Sequence, residues 1–308
     1  MTLLRRTWYA FALFAGAMGL AACSNPALPA PFSSASAQDA APGHALLYVS
    51  DAASGSVSFY SYPGLKFKGK ITHFKHVGAV CADPRNGNVW VASGLGNPDL
   101  AEFAHGSIKP IRKVKLIAVD VIEGCAVNPT NGDVALTEPY QYDDPGTLLI
   151  LSNANGKLTR YNRRNLFTYA FVAYDTAGNA FVDGSDGGGE TSLDELPKGG
   201  KQLVNVTPHH WSLKPPGEGA VQYDGTDLVV GKTKGGRVYQ ISDRNIVGML
   251  ELSGTCLVRQ FVIDDGSIIA PSACHSSGKV LIYEYPSGGG PSAEITGFEW
   301  PYAVAISR

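Results

Sequence analysis

One short pattern recurs along this chain: an apolar run, an Asp or Asn, a tight polar turn, and a second apolar run. It is read in VCADPRNGNVWVAS and CAVNPTNGDVALTE, then in FVAYDTAGNAFVDG, AVQYDGTDLVVGKT and QFVIDDGSIIAPSA, with a final half copy in YAVAIS. Anchored on Asp83, Asn128, Asp175, Asp224, Asp264 and Ser307, the copies are spaced 45, 47, 49, 40 and 43 residues apart. The apolar runs are rich in β-branched and aromatic residues, so each copy reads as strand, turn, strand. The Asp or Asn caps a free backbone N–H and the Gly supplies positive φ. Repetition at this period marks an architecture whose units cannot bury their own faces and must pack on neighbours.

A second motif lies between the anchors. GSVSFYSYPGLKFKGKITHFKHVGAV is matched by GKVLIYEYPSGGGPSAEITGFEWPYAV, each a strand ending in Tyr-Pro, a turn, a strand, and the next anchor motif. Each repeat is therefore about four strands, the size of a propeller blade. A β-sandwich with chance similarities is the alternative, and the near-even spacing argues against it. The C-terminal YAVAISR supplies a first strand alone, whereas ALLYVSDAASGSVSFYSYPG supplies later strands and lacks a first. Joined, they complete one blade and remove the free sheet edges. The reading is all-β: a six-bladed β-propeller of four-stranded blades over 44–308, closed by strands from both chain ends.

With those residues in view, GAVCADPRNGNVWVAS resembles an NHL-type repeat (Gly-hydrophobic-Ala-hydrophobic-Asp, Gly, then Val-Tyr-Val-Ala). The body of the chain resembles bacterial six-bladed propeller lipoproteins of the NHL and gluconolactonase-like (senescence-marker-protein-like) group. The resemblance implies the fold. It does not imply an activity, because such propellers serve as binders, scaffolds and enzymes.

The first residues read as an export signal. Arg5 and Arg6 precede an uncharged, largely apolar run from Trp8 to Ala22, short for a membrane span. Leu20-Ala21-Ala22-Cys23 resembles a bacterial lipobox, which implies a signal peptide over 1–22 and lipidation at Cys23; an ordinary signal peptide with a chance cysteine is the alternative. Residues 23–43, rich in Pro, Ala and Ser, read as a flexible tether. The resemblance places the protein in the cell envelope, anchored to a membrane. Ser24, where inner-membrane retention in enteric bacteria uses Asp, leans toward the outer membrane. Losing Arg5 and Arg6 leaves 23 cations against 27 acids, near −4. With that sign and no basic run, nothing points to nucleic acid.

In a propeller, the loops leading into the innermost strands share a face with those joining second and third strands. This inlet face surrounds the channel mouth, and its leading residues are His76, Glu123, Tyr169, Glu218, Arg259, Trp300 and Tyr302. They are the expected ligand-binding set for a protein, peptide or glycan, with Tyr140 and Tyr142 as further channel-face rings. Two adjacent loops are acidic, with Glu138, Asp143 and Asp144 in one and Asp183, Asp186 and Glu190 in the other. Converging carboxylates there would suit Ca²⁺; solvated turns are the alternative. A calcium-dependent lactonase or esterase of the gluconolactonase-like group would need such a metal as Lewis acid. Its Glu-Gly-Pro opening is matched here only by IEGC and GEGA, which lack the Pro. There is no GxSxG and no phosphate loop. The expectation is therefore a non-catalytic binding module, with no catalytic residue assigned.

Cys81, Cys125, Cys256 and Cys274 remain after the leader, an even number in an exported chain. Cys81 lies two residues before its anchor and Cys125 three before. Neighbouring residues on a strand point to opposite faces, so this one-step offset lets the two face each other across a blade interface. Cys256 and Cys274 fall on the inlet side of one blade. The expected disulfides are Cys81–Cys125 and Cys256–Cys274.

Overall fold

The computed structural model describes residues 45–139, 145–153, 155–163, 166–186, 189–209, 211, 219–232, 234–274 and 277–308. The expected leader, tether and Cys23 lie outside them. Among the described residues there are 24 strands, β1 to β24 in chain order, arranged as six antiparallel four-stranded sheets. The chain is a six-bladed β-propeller.

Blade I pairs β24 (Pro301–Ser307) with β1 (Leu46–Asp51), β2 (Ser56–Ser61) and β3 (Phe67–Ile71). Blade II runs from β4 (Val77–Ala82) through β5 (Val89–Ser93) and β6 (Asp99–Phe103) to β7 (Pro110–Lys115). The innermost strands of blades III to VI are β8 (Gly124–Val127), β12 (Thr168–Tyr174), β16 (Val221–Tyr223) and β20 (Val262–Asp264). The anchor residues thus end, or immediately follow, the innermost strands. Four of them cap their turns: the N–H of Arg85 donates to Asp83 at 2.9 Å, Thr130 to Asn128 at 2.8 Å, Gly178 to Asp175 at 2.8 Å and Asp227 to Asp224 at 2.7 Å. Ser307 has no turn to cap. Its hydroxyl reaches blade II, donating to the Gly87 carbonyl and meeting His105 Nδ1 at 2.6 Å.

Each blade interface holds its own apolar cluster, because residues alternate between the two faces of every strand. Val57, Phe59, Val80 and Val91 pack between blades I and II, while Cys81, Trp90, Leu136 and Leu149 pack between II and III. Aromatic side chains help to fill these interfaces: Phe59 stacks on Tyr48 at 5.2 Å, and Phe74 meets Phe103 edge-on at 6.2 Å.

The one-residue offset of the cysteines follows the same alternation. On β4, Ala79 and Cys81 face blade III, while on β8, Cys125 and Val127 face blade II. Cys81 and Cys125 are bonded, with Cα atoms 5.8 Å apart. Cys256 and Cys274 form the second disulfide, Cα–Cα 5.3 Å. The first closes 44 residues and the second 18. If loop entropy dominates, Cys81→Ala/Cys125→Ala should cost roughly 4 kcal/mol and Cys256→Ala/Cys274→Ala roughly 3. Urea denaturation of the two double variants checks this; an equal or reversed order would show that strain or residual structure governs instead.

Candidate functional site

The channel axis is where side chains from all six blades converge, and its two ends differ. On the inlet side, the residues leading into β8, β20 and β24 reach each other. Glu123 Oε1 accepts from Arg259 at 2.6 Å and from the Tyr302 hydroxyl at 3.0 Å. The Arg259 guanidinium also lies over the Tyr302 ring, 5.0 Å from its centroid. Blades III and VI are opposite in the ring, so the Glu123–Arg259 pair crosses the axis. Two hydrogen bonds to one ionised carboxylate, with a cation over the ring, make a charge-assisted cluster. Burial, then the nearby Glu123 charge, pushes the Tyr302 phenol well above its ordinary value.

On the other side, where the anchor turns lie, the channel opens as a cavity of about 400 Å³. Its walls are mostly carbon: Val80, Ala126, Ala173, Val262 and Val304, with the Cys81–Cys125 bridge. Asp175 and Asp224 stand at its rim but turn away. Asp175 accepts from Gly178 and Asn179, while Asp224 accepts from Thr226, Asp227 and Tyr285. Backbone and phenol donors outweigh the opposing effect of burial and lower the Asp224 carboxyl below its usual range. The uncharged polar residues on the wall are Gln222 and Gln260, with Thr176, Tyr174 and Tyr223. Gln260 is only 5 % exposed. Its Nε2 donates to the Val80 carbonyl at 3.3 Å, but its Oε1 has no hydrogen-bond partner among the described residues. A buried amide oxygen left unpaired is costly.

Of the seven inlet residues expected to form one binding set, the structure joins Glu123, Arg259 and Tyr302. The other described members are apart. Tyr169 is fully buried between blades III and IV, where its hydroxyl accepts from the Arg163 N–H at 2.7 Å. Trp300 is held by its backbone N–H, which donates to Asp51 at 2.9 Å. His76 is exposed and lines a groove between blades I and II. Glu218 lies outside the described residues. The reason is reach: a residue one step farther from the axis, or rotated to the other strand face, enters a blade interface.

The six acidic residues expected to suit Ca²⁺ do not assemble where they are described. Glu138 is taken by Arg160 at 3.1 Å and the Asp120 N–H at 2.7 Å. Asp183 is buried and accepts from the N–H groups of Phe171 at 2.8 Å and Gly219 at 3.0 Å. Asp186 accepts from the Glu190 N–H at 2.8 Å, closing its own turn. Asp143 and Asp144, with Tyr140 and Tyr142, lie outside the described residues. Among the described residues no group of three or more His, Cys, Asp or Glu could hold a metal ion. Sequence reasoning missed Gln260. The only signal was its place one residue after Arg259, since a lone glutamine carries no motif.

No protein-family profile and no curated protein matches the sequence. Solved structures do match the fold. A chain of the nidogen/laminin complex aligns with TM-score 0.70 and 11% identity, over 86% of this chain and 98% of that one. A protein of unknown function from Bacteroides caccae aligns with TM-score 0.63 and 12% identity, over 86% and 99%. At these identities the likeness shows the propeller fold alone.

The inlet cluster has a testable pH signature. A phenol whose folded pKa lies above its unfolded value near 10 stabilises the fold fully below that pH, and the contribution is lost as pH rises through the folded value. Tyr302 is raised well above 10, and burial pushes Tyr169 and Tyr283 up to about 12. Unfolding free energy should therefore fall from pH 10 toward 12, and Tyr302→Phe should flatten that fall. Near-ultraviolet titration of the phenols, followed with urea unfolding at each pH, checks it. Ionisation of Tyr302 at the ordinary value in the folded protein would sink the account.

Proposed function

We propose that this protein is an exported, lipid-anchored propeller of the NHL-like group that acts as a non-catalytic binding module, taking an uncharged segment of a partner protein or peptide along its axis. The observation that carries this reading is the axis itself. At one end, the carboxylate a metal-dependent hydrolase would draw on is committed to Arg259 and Tyr302. At the other, an open cavity of mixed wall has the neutral side chains of Gln222, Gln260, Thr176 and Tyr223 among its lining residues, and the buried Gln260 oxygen just behind the wall has no partner among the described residues.

A neutral ligand with an N–H or O–H donor fits that chemistry. An anionic one would leave water for a cavity whose charged lining residues, Asp175 and Asp224 at the rim, repel it. The turn face, with its short anchor turns, leaves the cavity accessible to a loop. A structural neighbour of the same fold is a chain of a protein–protein complex, which is in keeping with a protein partner. The export leader and Cys23 supply the anchor in this reading, with the outer membrane favoured over the inner.

Two experiments separate the parts of the proposal. Cys23→Ser should move the protein out of the membrane fraction, and unchanged fractionation would refute the anchor. Gln222→Trp, which fills the cavity, should abolish capture of envelope peptides by the immobilised protein. Calcium titration by calorimetry should give no heat of specific binding. Tight calcium binding together with lactone hydrolysis would overturn the binding-module reading in favour of a hydrolase.

A further inference from the structure

The charge of the propeller is unevenly placed. Residues 65–76 and 104–117 carry eight of the 25 Lys and Arg and none of the 27 Asp and Glu. The first stretch holds β3 and the loop leading to β4, and the second holds β7. These are the outermost strands of neighbouring blades I and II. Lys68 and Lys70 on β3 are exposed, as are Lys113 and Lys115 on β7. The net negative charge of the chain conceals this concentration.

A groove of about 640 Å³ runs between the two blades on the inlet side, lined by Lys75, Lys113 and Lys115 together with His73 and His76. Its acidic lining is Asp99, which pairs with Lys115 at 3.3 Å, both side chains 54 % exposed. Such an open pair holds the lysine only weakly. Large apolar side chains stand out here too: Leu95 and Ile108, each 57 % exposed, line the groove, and Ile111 at 58 % and Ile117 at 66 % lie on β7 and just beyond it. Exposed apolar groups gathered in one place mark an interaction surface.

We propose that this edge of blades I and II docks on an anionic phospholipid bilayer, its lysines against the phosphates and its apolar side chains in the headgroup region. Lysines interleaved with exposed large hydrophobics, in excess over a single acid, are the pattern of an interfacial anchor. An acidic protein would meet the same charge, but it would not need the exposed apolar side chains in the groove and along β7. A second argument rests on the lipid-anchor reading. The segment after Cys23 joins the propeller at β1, in the same blade as β3, so lipid and edge would engage one membrane. Docked by its rim, the ring leaves the turn-face cavity uncovered for a partner. A tether of residues 24–44 reaches at most about 70 Å and does not orient the propeller by itself. The basic edge does.

The test uses residues 45–308, whose ring is closed by pairing of β24 on β1 within that span, and which lack Cys23. Failure here is thus separate from failure of the Cys23→Ser experiment. Co-sedimentation is measured with phosphatidylcholine vesicles, with and without phosphatidylglycerol. Binding should require the anionic lipid and fall with salt. Each basic residue near such a surface contributes roughly five-fold, so Lys75→Glu/Lys113→Glu/Lys115→Glu should weaken binding by about a hundred-fold or more. Lys68→Glu/Lys70→Glu should weaken it by roughly twenty-fold. Leu95→Ser/Ile117→Ser, which change no charge, should weaken it with little change in salt dependence. Lys198→Glu/Lys201→Glu, on exposed positions of blade IV, should bind as the parent does. Equal binding to neutral vesicles, or equal loss in the blade IV control, would overturn the proposal. So would a triple variant that keeps vesicle binding but loses an acidic protein partner.

Discussion

The structure depends on one pairing, that of β24 with β1. An open array of six twisted sheets would present two unpaired edges and two uncovered faces, each a template for another chain. Pairing Leu46 through Asp51 against Pro301 through Ser307 removes those innermost edges and brings the last blade against the first. Every apolar interface around the ring then has a partner, including the cluster of Leu47, Val49, Ile269 and Val304 between blades VI and I. Ser307 adds a hydrogen bond to blade II, and Arg308 pairs with Asp264 at 2.6 Å on blade VI. The chain terminus is thus tied to blades on both sides of the blade it completes.

Closure also creates the axis, and with it the site. Six inner strands cannot all fill the centre with backbone, so side chains decide what the channel is. At the inlet side, a Glu, an Arg and a Tyr from three blades engage one another, with the Arg259 Nε left without a partner among the described residues. Their mutual engagement turns what resembles a ligand mouth in the sequence into a structural brace. Toward the turns, the wall is aliphatic and the carboxylates fold back into their own turns. What remains is a pocket whose uncharged polar lining is two amides and a few hydroxyl side chains. That contrast gives the molecule a direction, and the basic rim of blades I and II distinguishes one edge from the rest.

Much of this was legible in the sequence because it is local or periodic. The anchor spacing specified blade number, the Tyr-Pro motif specified strands per blade, and the split terminal copies specified closure. The one-step offset between Cys81 and Cys125 allowed the pair, since strand alternation is a property of the backbone, but it fits equally two side chains pointing apart, and the bonded pair in the structure decides between them. The candidate site was legible only in part. Glu123, Arg259 and Tyr302 belong together, but their meeting depends on how far each side chain reaches across the channel. Asp183 looked like a metal ligand because its loop is acidic. Its burial beneath the Phe171 and Gly219 amides is a contact between segments 12 and 36 residues away.

The sequence by itself determined the architecture: repeat period, four-stranded blades, and ring closure by the two ends. Each of these follows from rules that act over one strand or one repeat. Only the tertiary structure decided which end of the channel is braced and which is open, and that lysines scattered over two repeats share one edge. Those outcomes depend on side chains from blades far apart in the chain meeting across the axis or around the rim. No spacing along a sequence encodes that distance until the ring has closed.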